Sequence, residues 1–248
     1  MRFVKQTAWM LAFSLVGGAL GSLAQAQDEQ AVRMRTALAA PGRPTEDKER
    51  DAVRKPIETV QFLGIKADQT VIDVIAVGGW FTEVLSAAVG PSGKVLAQNP
   101  EFFVQREGFA AGEKARNDRL GNVQAVHGEL AANGIVAQAD AAVTALNLHD
   151  VYNGQGGEAA GVAFLKGVYD ALKPGAVFGV IDHVGIAGQN NAQFHRMQLD
   201  LAKDALTKAG FTIEAESNIL ANPADDHTKG VRDMARHTDQ FLIRARKP

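Results

Sequence analysis

Two pairs of acidic and imidazole side chains lie in the second half of this 248-residue chain. His149–Asp150 and Asp182–His183 each stand at the end of an apolar run, AAVTALNL (141–148) and AVFGVID (176–182). An imidazole titrates near neutral pH and a neighbouring carboxylate can orient it, so each pair has the parts of a general base. These four residues are therefore the candidate catalytic residues. The alternative for His149 is an ordinary histidine in a surface loop.

A divalent metal ion is a second possible use of the same four side chains, since carboxylates and imidazoles are common ligands. Nothing in their spacing fixes a coordination geometry, so the sequence assigns no metal ligands. Metal-assisted hydrolysis is a corresponding, weaker hypothesis about the reaction. His195–Arg196 is interpreted as a solvated or structural cluster beside a loop that could close over a substrate.

The elements that position these residues follow from an alternation of apolar runs with segments of helix length. The runs are residues 71–77, 94–98, 123–127, 141–148, 176–182, 211–218 and 240–248. This pattern predicts an α/β fold of the doubly wound, Rossmann-like type, with a mostly parallel seven-stranded sheet and one antiparallel strand near the C-terminus. The carboxyl ends of neighbouring parallel strands lie at one edge, so the two Asp/His pairs are expected to converge on one pocket.

The segment TVIDVIAVGGWFTE (70–83) predicts a strand, a glycine turn and a helix. In an open α/β sheet, ligands bind beyond the carboxyl end of such a strand. The glycine pattern GxGxxG of nicotinamide cofactor sites is absent from this turn. Asp73 at the end of the strand either organises the turn or contacts a ligand.

The order of these features, with ALKPG (171–175) and KAGF (208–211), resembles class I S-adenosylmethionine (SAM)-dependent methyltransferases over residues 50–248. DAVRKPIETVQFLGIKADQTVIDV, GGWFTEVL, Asp182–His183, NPADDHT and TDQFLIRARKP resemble, more narrowly, a group of exported bacterial predicted methyltransferases. The resemblance implies SAM as cofactor and methyl transfer to a small-molecule acceptor.

The methyltransferase family typically has an acidic residue followed by glycines at alternate positions, where the cofactor approaches bare backbone. Here those positions fall on Asp73, Ile75, Val77 and Gly79, with Gly78 as an extra glycine. A β-carbon at residues 75 and 77 either narrows the cofactor cleft or disfavours a left-handed backbone. The resemblance assigns all five residues to cofactor binding.

Three further cofactor-binding residues are implied by the resemblance. Asn99 stands where the family places an acidic side chain for the ribose hydroxyls, Glu129 stands near the adenine, and Asn147 faces the place of methyl transfer. Asn99 is otherwise a turn residue before Pro100, and Glu129 is otherwise a solvated loop residue.

The N-terminus has the pattern of a secretory signal peptide over residues 1–26. Arg2 and Lys5 form a basic start, residues 9–23 are apolar, and Ala24-Gln25-Ala26 is a cleavage pattern before Gln27. The sequence therefore predicts a periplasmic or secreted protein with no stable membrane insertion after cleavage; the alternative is an uncleaved anchor.

The rest of the chain is predicted to form a flexible or loosely docked arm over residues 27–44 and one methyltransferase-like domain over residues 45–248. The formal net charge of −2 gives no indication of a nucleic-acid partner, and the absence of cysteine excludes disulfides and thiolate chemistry. The oligomeric state is not determined. Export away from the cytoplasm, where SAM is made, leaves open a non-catalytic protein that binds another small ligand in the same cleft.

Overall fold

The computed structural model of the chain describes residues 10–234 and 237–248, with side chains from residue 24 onwards. The basic start of the predicted signal peptide lies outside the described residues. The helices are α1 (Met10–Leu38), α2 (Thr45–Arg54), α3 (Pro56–Leu63), α4 (Trp80–Val89), α5 (Glu101–Val104), α6 (Phe109–Leu120), α7 (Leu148–Tyr152), α8 (Gly157–Ala171), α9 (Asn191–Phe194) and α10 (Leu199–Lys208). The strands are β1 (Thr70–Val74), β2 (Lys94–Asn99), β3 (Val123–His127), β4 (Ala139–Ala145), β5 (Leu172–His183), β6 (Thr212–Ser217) and β7 (Gln240–Arg246).

The strands form one seven-stranded sheet in the order β3-β2-β1-β4-β5-β7-β6. The pairs from β3 through β5 are parallel, and β7 runs antiparallel to both β5 and β6. The predicted α/β class, parallel sheet and single antiparallel strand are confirmed. Because the chain winds outward in both directions from β1 and β4, the topological switch point lies between the carboxyl ends of these two strands.

Each central strand contributes to two hydrophobic cores, one on each face of the sheet. In β1, Val71 packs with Leu85 of α4 on one face, while Ile72 packs with Leu165 of α8 on the other. Successive side chains of a strand point to opposite faces, so burial on both faces requires the continuous apolar runs seen in the sequence. These cores fix the strand ends that carry the candidate site.

Residues 27–38 of the segment predicted as a flexible or loosely docked arm form a helix packed against the domain. Helix α1 continues through the predicted cleavage site to Leu38, and Gln30, Ala31, Met34 and Leu38 are buried against the domain. The Gln30 amide donates to the carbonyl oxygens of Ile65 and Ala88, at 2.9 and 3.1 Å. The spacing of these residues places them on one face of a helix, which the alanine-rich composition concealed. Cleavage before Gln27 stays a prediction.

Two strands end earlier than predicted, and in both cases a left-handed residue ends them. Strand β1 ends at Val74, before Ile75 with a φ of 58°. Strand β4 ends at Ala145, before Leu146 with a φ of 64°, and His149 therefore lies in the short helix α7 and not in the strand. None of the helices described is both long and apolar enough to cross a membrane.

Candidate functional site

Two adjoining cavities lie at the carboxyl ends of β1, β2, β4 and β5. The first, of about 510 Å³, is called here the histidine cavity and is lined by the turn 76–79, residues of α2, and three histidines, His149, His183 and His195. The second, of about 790 Å³, is called the apolar cavity. Its walls include Phe102, Phe103, Leu130, Val151, Phe164 and Glu129. Ile75, Asn147 and Asp150 line both cavities, so the two meet at the switch point.

The turn after β1 holds two β-branched residues in a conformation that favours glycine. Ile75 has a φ of 58° and Val77 a φ of 46°, and Gly79 follows with a φ of 79°. A left-handed β-branched residue is a steric outlier that costs on the order of 1–3 kcal/mol. The backbone of the turn therefore adopts the left-handed φ angles expected of glycines, although Ile75 and Val77 place β-carbons beside the cleft.

Side chains of β2 hold this turn in place. The Ile75 amide donates to Gln98 Oε1 at 3.0 Å, and the Val77 amide donates to Asn99 Oδ1 at 2.7 Å. Asn147 donates from the other side to the Ile75 carbonyl at 3.1 Å. The amides of residues 75 and 77 are thus already satisfied inside the protein, which offsets part of the cost of the strained backbone.

Asn99 does not face either cavity, in contrast to the role that the resemblance implies. The side chain is fully buried, and its amide nitrogen donates to Glu113 Oε1 at 3.1 Å. Glu113 is itself buried and lies 2.7 Å from His127 Nε2. Glu101, which follows in α5, and Glu129 line the apolar cavity, as does the carboxylate of Asp150. The sequence interpretation identified Glu129 but missed Glu101, whose only signal was its place two residues after the second strand.

Asp73 lies under the turn as a buried carboxyl group. Its Oδ2 accepts a hydrogen bond from Thr82 Oγ1 of α4 at 2.6 Å. Burial raises the pKa of Asp73 to about 6, against the hydrogen bond from Thr82, which lowers it. Asp73 thus ties β1 to α4 and also lines the histidine cavity. Its hydrogen bond goes to α4 and not to the turn, so its role in organising the turn stays a prediction.

The ends of β4 and β5 are joined by one fully buried carboxylate, that of Asp182. It accepts hydrogen bonds from the backbone amides of His149 and His183, each at 2.8 Å, and lies 2.6 Å from His149 Nδ1. The other ring nitrogen of His149, Nε2, lies 3.3 Å from Asp150 Oδ1. The two Asp/His pairs thus lie together, with His149, Asp150 and His183 lining the histidine cavity and Asp182 buried behind them.

The two histidines of these pairs differ in charge at neutral pH. Burial by itself would lower the pKa of His149, but the carboxylates of Asp182 and Asp150 outweigh burial and raise this pKa to about 10. Hydrogen bonding to His149 lowers the pKa of Asp150 to about 2. At neutral pH these carboxylates therefore favour the protonated form of His149, which donates hydrogen bonds from both ring nitrogens. The raised pKa favours a donor role for His149 over the general base that the sequence predicted, and that role stays a prediction.

Of these two histidines, His183 is the one whose pKa favours the neutral form. Burial lowers its pKa to about 4, since the carboxylate of Asp182 offsets burial only in part. Its Nδ1 is hydrogen-bonded to the Thr238 hydroxyl of the segment before β7. The ring lines the histidine cavity, with its centroid 5.6 Å from that of His149. A neutral and a protonated imidazole therefore lie side by side at the strand ends.

His195 also belongs to this group, although the sequence interpretation placed it in a solvated or structural cluster. Its Nδ1 lies 2.8 Å from Asp150 Oδ1 at the mouth of the histidine cavity. The next residue, Arg196, is fully buried and forms a bidentate ion pair with Asp225, at 2.9 and 3.0 Å. No sequence spacing connects residue 195 with residue 150, so only the fold could show this contact.

The opposite wall of the histidine cavity is formed by α2 and the start of α4. Trp80 Nε1 donates to the Asp47 carbonyl at 3.0 Å and to Asp51 Oδ1 at 3.1 Å. The guanidinium of Arg54 lies over the Trp80 ring, 4.8 Å from its centroid. These contacts place a cationic and aromatic surface across the cavity from the histidines.

No protein-family model matches the sequence, and no curated protein matches it significantly. Solved structures do match in three dimensions. A SAM-dependent methyltransferase from Aquifex aeolicus has a TM-score of 0.58 at 18% identity, over 88% of this chain and 98% of that one. The cyclase SpnF has a TM-score of 0.59 at 16% identity, over 85% of each chain. A SAM-dependent O-methyltransferase from Thermotoga maritima has a TM-score of 0.52 at 20% identity, over 82% of this chain and 71% of that one.

Likeness at this level of identity concerns architecture alone, and one of these neighbours is described as a cyclase. The reaction must therefore be argued from the site. What the seven-stranded sheet and these neighbours together establish is that this chain has the Rossmann-like fold of class I SAM-dependent methyltransferases.

Proposed function

We propose that this protein is a SAM-dependent methyltransferase that acts on a small-molecule acceptor. The observation that supports it most is the pair of cavities that meet at Ile75, Asn147 and Asp150, at the switch point of a methyltransferase fold. One cavity is largely apolar and the other is lined by titratable groups. SAM has a flat adenine base at one end and a charged sulfonium centre at the other. The apolar cavity suits the base, and the histidine cavity suits the charged end.

The residues of the apolar cavity fit the adenosine part of such a cofactor. Phe103, Leu130 and Val151 offer apolar walls to a planar base, and Glu101 and Glu129 offer carboxylates to hydroxyl and amino groups. The turn 76–79 and the exposed Gly78 then border the methionine part in the histidine cavity. In this proposal Asn99 supports the turn from below and does not bind the ribose.

The chain's own residues would bind the acceptor and manage its proton. When bound, SAM supplies an electrophilic methyl group, which passes to a lone pair of the acceptor as the sulfur–carbon bond breaks. The imidazolium of His149 and the carboxylate of Asp150 offer a donor and an acceptor to the same hydroxyl or amine. His183 is a neutral imidazole in the same cavity, and we assign to it the transfer of the acceptor's proton to water, since its lowered pKa makes it release the proton at once. Asp182 is a positioning residue, because it holds the His149 ring from behind.

Calorimetric titration of the purified chain with SAM and with its demethylated product tests this proposal. We expect saturable binding in the micromolar range, about −8 kcal/mol. A β-carbon at Gly78 would meet no protein atom within 4 Å, so Gly78→Leu should fold while its side chain obstructs the cavity. We expect this variant to weaken binding by about tenfold or more, or about 1.4 kcal/mol.

Gly112→Leu is the matched control, because Gly112 is equally free of contacts at its β-carbon position and lines neither cavity. It should bind the cofactor as the unaltered chain does. Equal loss of binding in both variants would mean that the effect is one of folding and would remove the support for the site.

A repurposed fold that binds a different small ligand is the second candidate, and the turn after β1 favours it. Ile75 and Val77 both place β-carbons beside the cleft, and Asn99 is buried away from it. No binding of SAM or its product at millimolar concentration would support this candidate and contradict the first.

We further propose that the protein acts outside the cytoplasm and is periplasmic or secreted. The support is the sequence pattern of residues 1–26, with a basic start, an apolar run and a small-residue cleavage pattern. Expression of the full chain in a bacterial host, followed by fractionation and N-terminal sequencing, should give a periplasmic protein that begins at Gln27. An intact N-terminus in the cytoplasmic fraction would contradict this proposal.

A further inference from the structure

We propose that His149, Asp150 and His195 form a binding site for a divalent first-row transition-metal ion, with Zn²⁺ and Co²⁺ as representative ions. One ligand atom from each residue lies within 4.8 Å of the other two. The site is formed by these three side chains alone, so metal binding does not depend on the proposed methyltransferase activity.

The distances between the ligand atoms are close to those that one ion requires. Asp150 Oδ1 lies 2.8 Å from His195 Nδ1 and 3.3 Å from His149 Nε2. Two ligands at about 2.1 Å from one ion lie about 3.0 Å apart at a right angle and about 3.4 Å apart in a tetrahedron. Asp150 therefore already lies at ligand distance from both imidazoles. The ligand nitrogens of the two histidines lie within 4.8 Å of each other. Rotation of the partly exposed His195 ring toward the buried His149 brings them to the distance that one ion requires.

Asp182 provides the outer support that metal-binding histidines usually have. Its carboxylate is fully buried and lies 2.6 Å from His149 Nδ1, which leaves Nε2 directed at Asp150. A carboxylate on the far ring nitrogen fixes the tautomer of a ligand histidine and increases its basicity. The backbone amide of His149 also donates to Asp182, so the ring is held at two points. His149 is thus held with Nε2 toward the cavity, and a metal ion that binds there displaces the Nε2 proton of the imidazolium, so binding releases one proton.

The third ligand is held in place from behind by buried contacts. His195 has a left-handed backbone, with a φ of 54°, at the end of α9. Arg196 beside it is fixed by Asp225, and the Asn153 amide at the end of α7 donates to the Arg196 carbonyl at 2.9 Å. This last contact joins the segment that carries His195 to the helix that carries the other two ligands. A strained residue kept in position by its surroundings is typical of a functional site.

The ligand types select the class of ion. Two imidazoles and one carboxylate suit zinc, cobalt, iron, nickel or manganese, whereas Mg²⁺ prefers oxygen ligands and retained waters. The side chain of Asp150 is 61% exposed and that of His195 is 39% exposed, so the side of the site that faces the histidine cavity is open to a further ligand. If the protein is a methyltransferase, as proposed above, a heteroatom of the acceptor can take this open position.

Calorimetric titration of the chelator-treated full chain with ZnCl₂, and visible absorption on titration with CoCl₂, tests the site without any cofactor. We expect one ion per chain with each metal, and no comparable binding of MgCl₂. His195→Gln removes an exposed ligand and should weaken Zn²⁺ binding by more than about 100-fold, while Asp182→Asn should weaken it by about 10- to 100-fold.

His227→Gln is the matched control. His227 also has a left-handed backbone, with a φ of 61°, and its Nε2 lies 3.0 Å from the carboxylate of Asp239. It lines neither cavity, so this variant should bind both ions as the unaltered chain does. The proposal is overturned if no saturable binding of Zn²⁺ or Co²⁺ occurs, if His195→Gln binds them unchanged, or if His227→Gln loses them equally.

Discussion

The turn after β1 and the cluster at the ends of β4 and β5 border the same cavity but are built in opposite ways. In the turn, Ile75 and Val77 store backbone strain, and their amides are satisfied by neutral side-chain amides of β2. In the cluster, buried and half-buried charges are paired around Asp182. The turn is thus held by many weak and neutral contacts, whereas the cluster depends on one carboxylate.

This difference indicates where the protein's chemistry is most sensitive to substitution. Neutral hydrogen bonds contribute about 0.5–1.5 kcal/mol each, so the turn should tolerate change. Loss of one partner from a buried charged pair costs about 3–5 kcal/mol. Substitutions in the two regions should therefore differ in their effect on the free energy of unfolding.

The largest effect is expected for Asp182→Asn. The substitution leaves the buried imidazolium of His149 without its main counterion and should lower the free energy of unfolding by about 3–5 kcal/mol. Urea denaturation followed by circular dichroism measures this change. Asp226→Asn makes the same substitution at an exposed position and should stay within about 0.5 kcal/mol of the unaltered chain. A loss below about 1 kcal/mol for Asp182→Asn would mean that His149 is not held as a cation.

The second effect concerns pH. The folded-state pKa of His149, about 10, is higher than its ordinary value of 6.5, so its stabilisation is complete below pH 6.5 and is lost as pH rises through about 10. We expect the unfolding free energy to fall by a few kcal/mol more in the unaltered chain than in His149→Gln between pH 7 and pH 10. Urea denaturation of both proteins at pH 7 and at pH 10, with a chelator present, measures this difference in unfolding free energy. Parallel curves for the two proteins would contradict the raised pKa.

A smaller effect is expected when the acidic residue typical of the family is placed at the end of β2. Asn99→Asp puts a second carboxylate against the buried Glu113 and should lower the unfolding free energy by about 1–3 kcal/mol at neutral pH. Adding Glu113→Gln restores a donor and should recover most of the loss. A double-mutant cycle measures the coupling. Independent, additive effects would show that the two side chains do not interact.

The smallest effect is expected for Val77→Gly. Release of the strained backbone at residue 77 should stabilise the folded state by on the order of 1–3 kcal/mol. The lost side-chain packing and the greater freedom of the unfolded chain act in the opposite direction. The net change in the unfolding free energy should therefore be within about 1 kcal/mol. Val136→Gly, at an exposed residue whose φ is not positive, has no strain to release and should lose about 0.4–1 kcal/mol. If Val77→Gly were clearly the less stable of the two, the strain at residue 77 would be disproved.

Periodicity in the sequence was sufficient to predict the sheet. The continuous apolar runs around Ile72 and Val143 were identifiable because strands covered on both faces need no polar alternation. The meeting of Asp182 with His149 was also predictable, because strand ends in a parallel sheet converge at one edge. The helix over residues 27–38 was not predicted, because alanine and polar residues give a weak helical pattern when their partner surface is unknown.

What the sequence determined by itself was therefore the order of strands and helices, the place of the cleft and the residues at the strand ends, since local patterns and short connections fix these. Only the tertiary structure decided the orientation of side chains and the charges they carry. Asn99 faces inward because its side chain is hydrogen-bonded to Glu113 and to the Val77 amide, and the pKa of His149 is raised because two carboxylates surround the ring. His195 joins the site through a contact with Asp150 that spans 45 positions of sequence. Such contacts depend on distances through space, which a linear pattern does not contain.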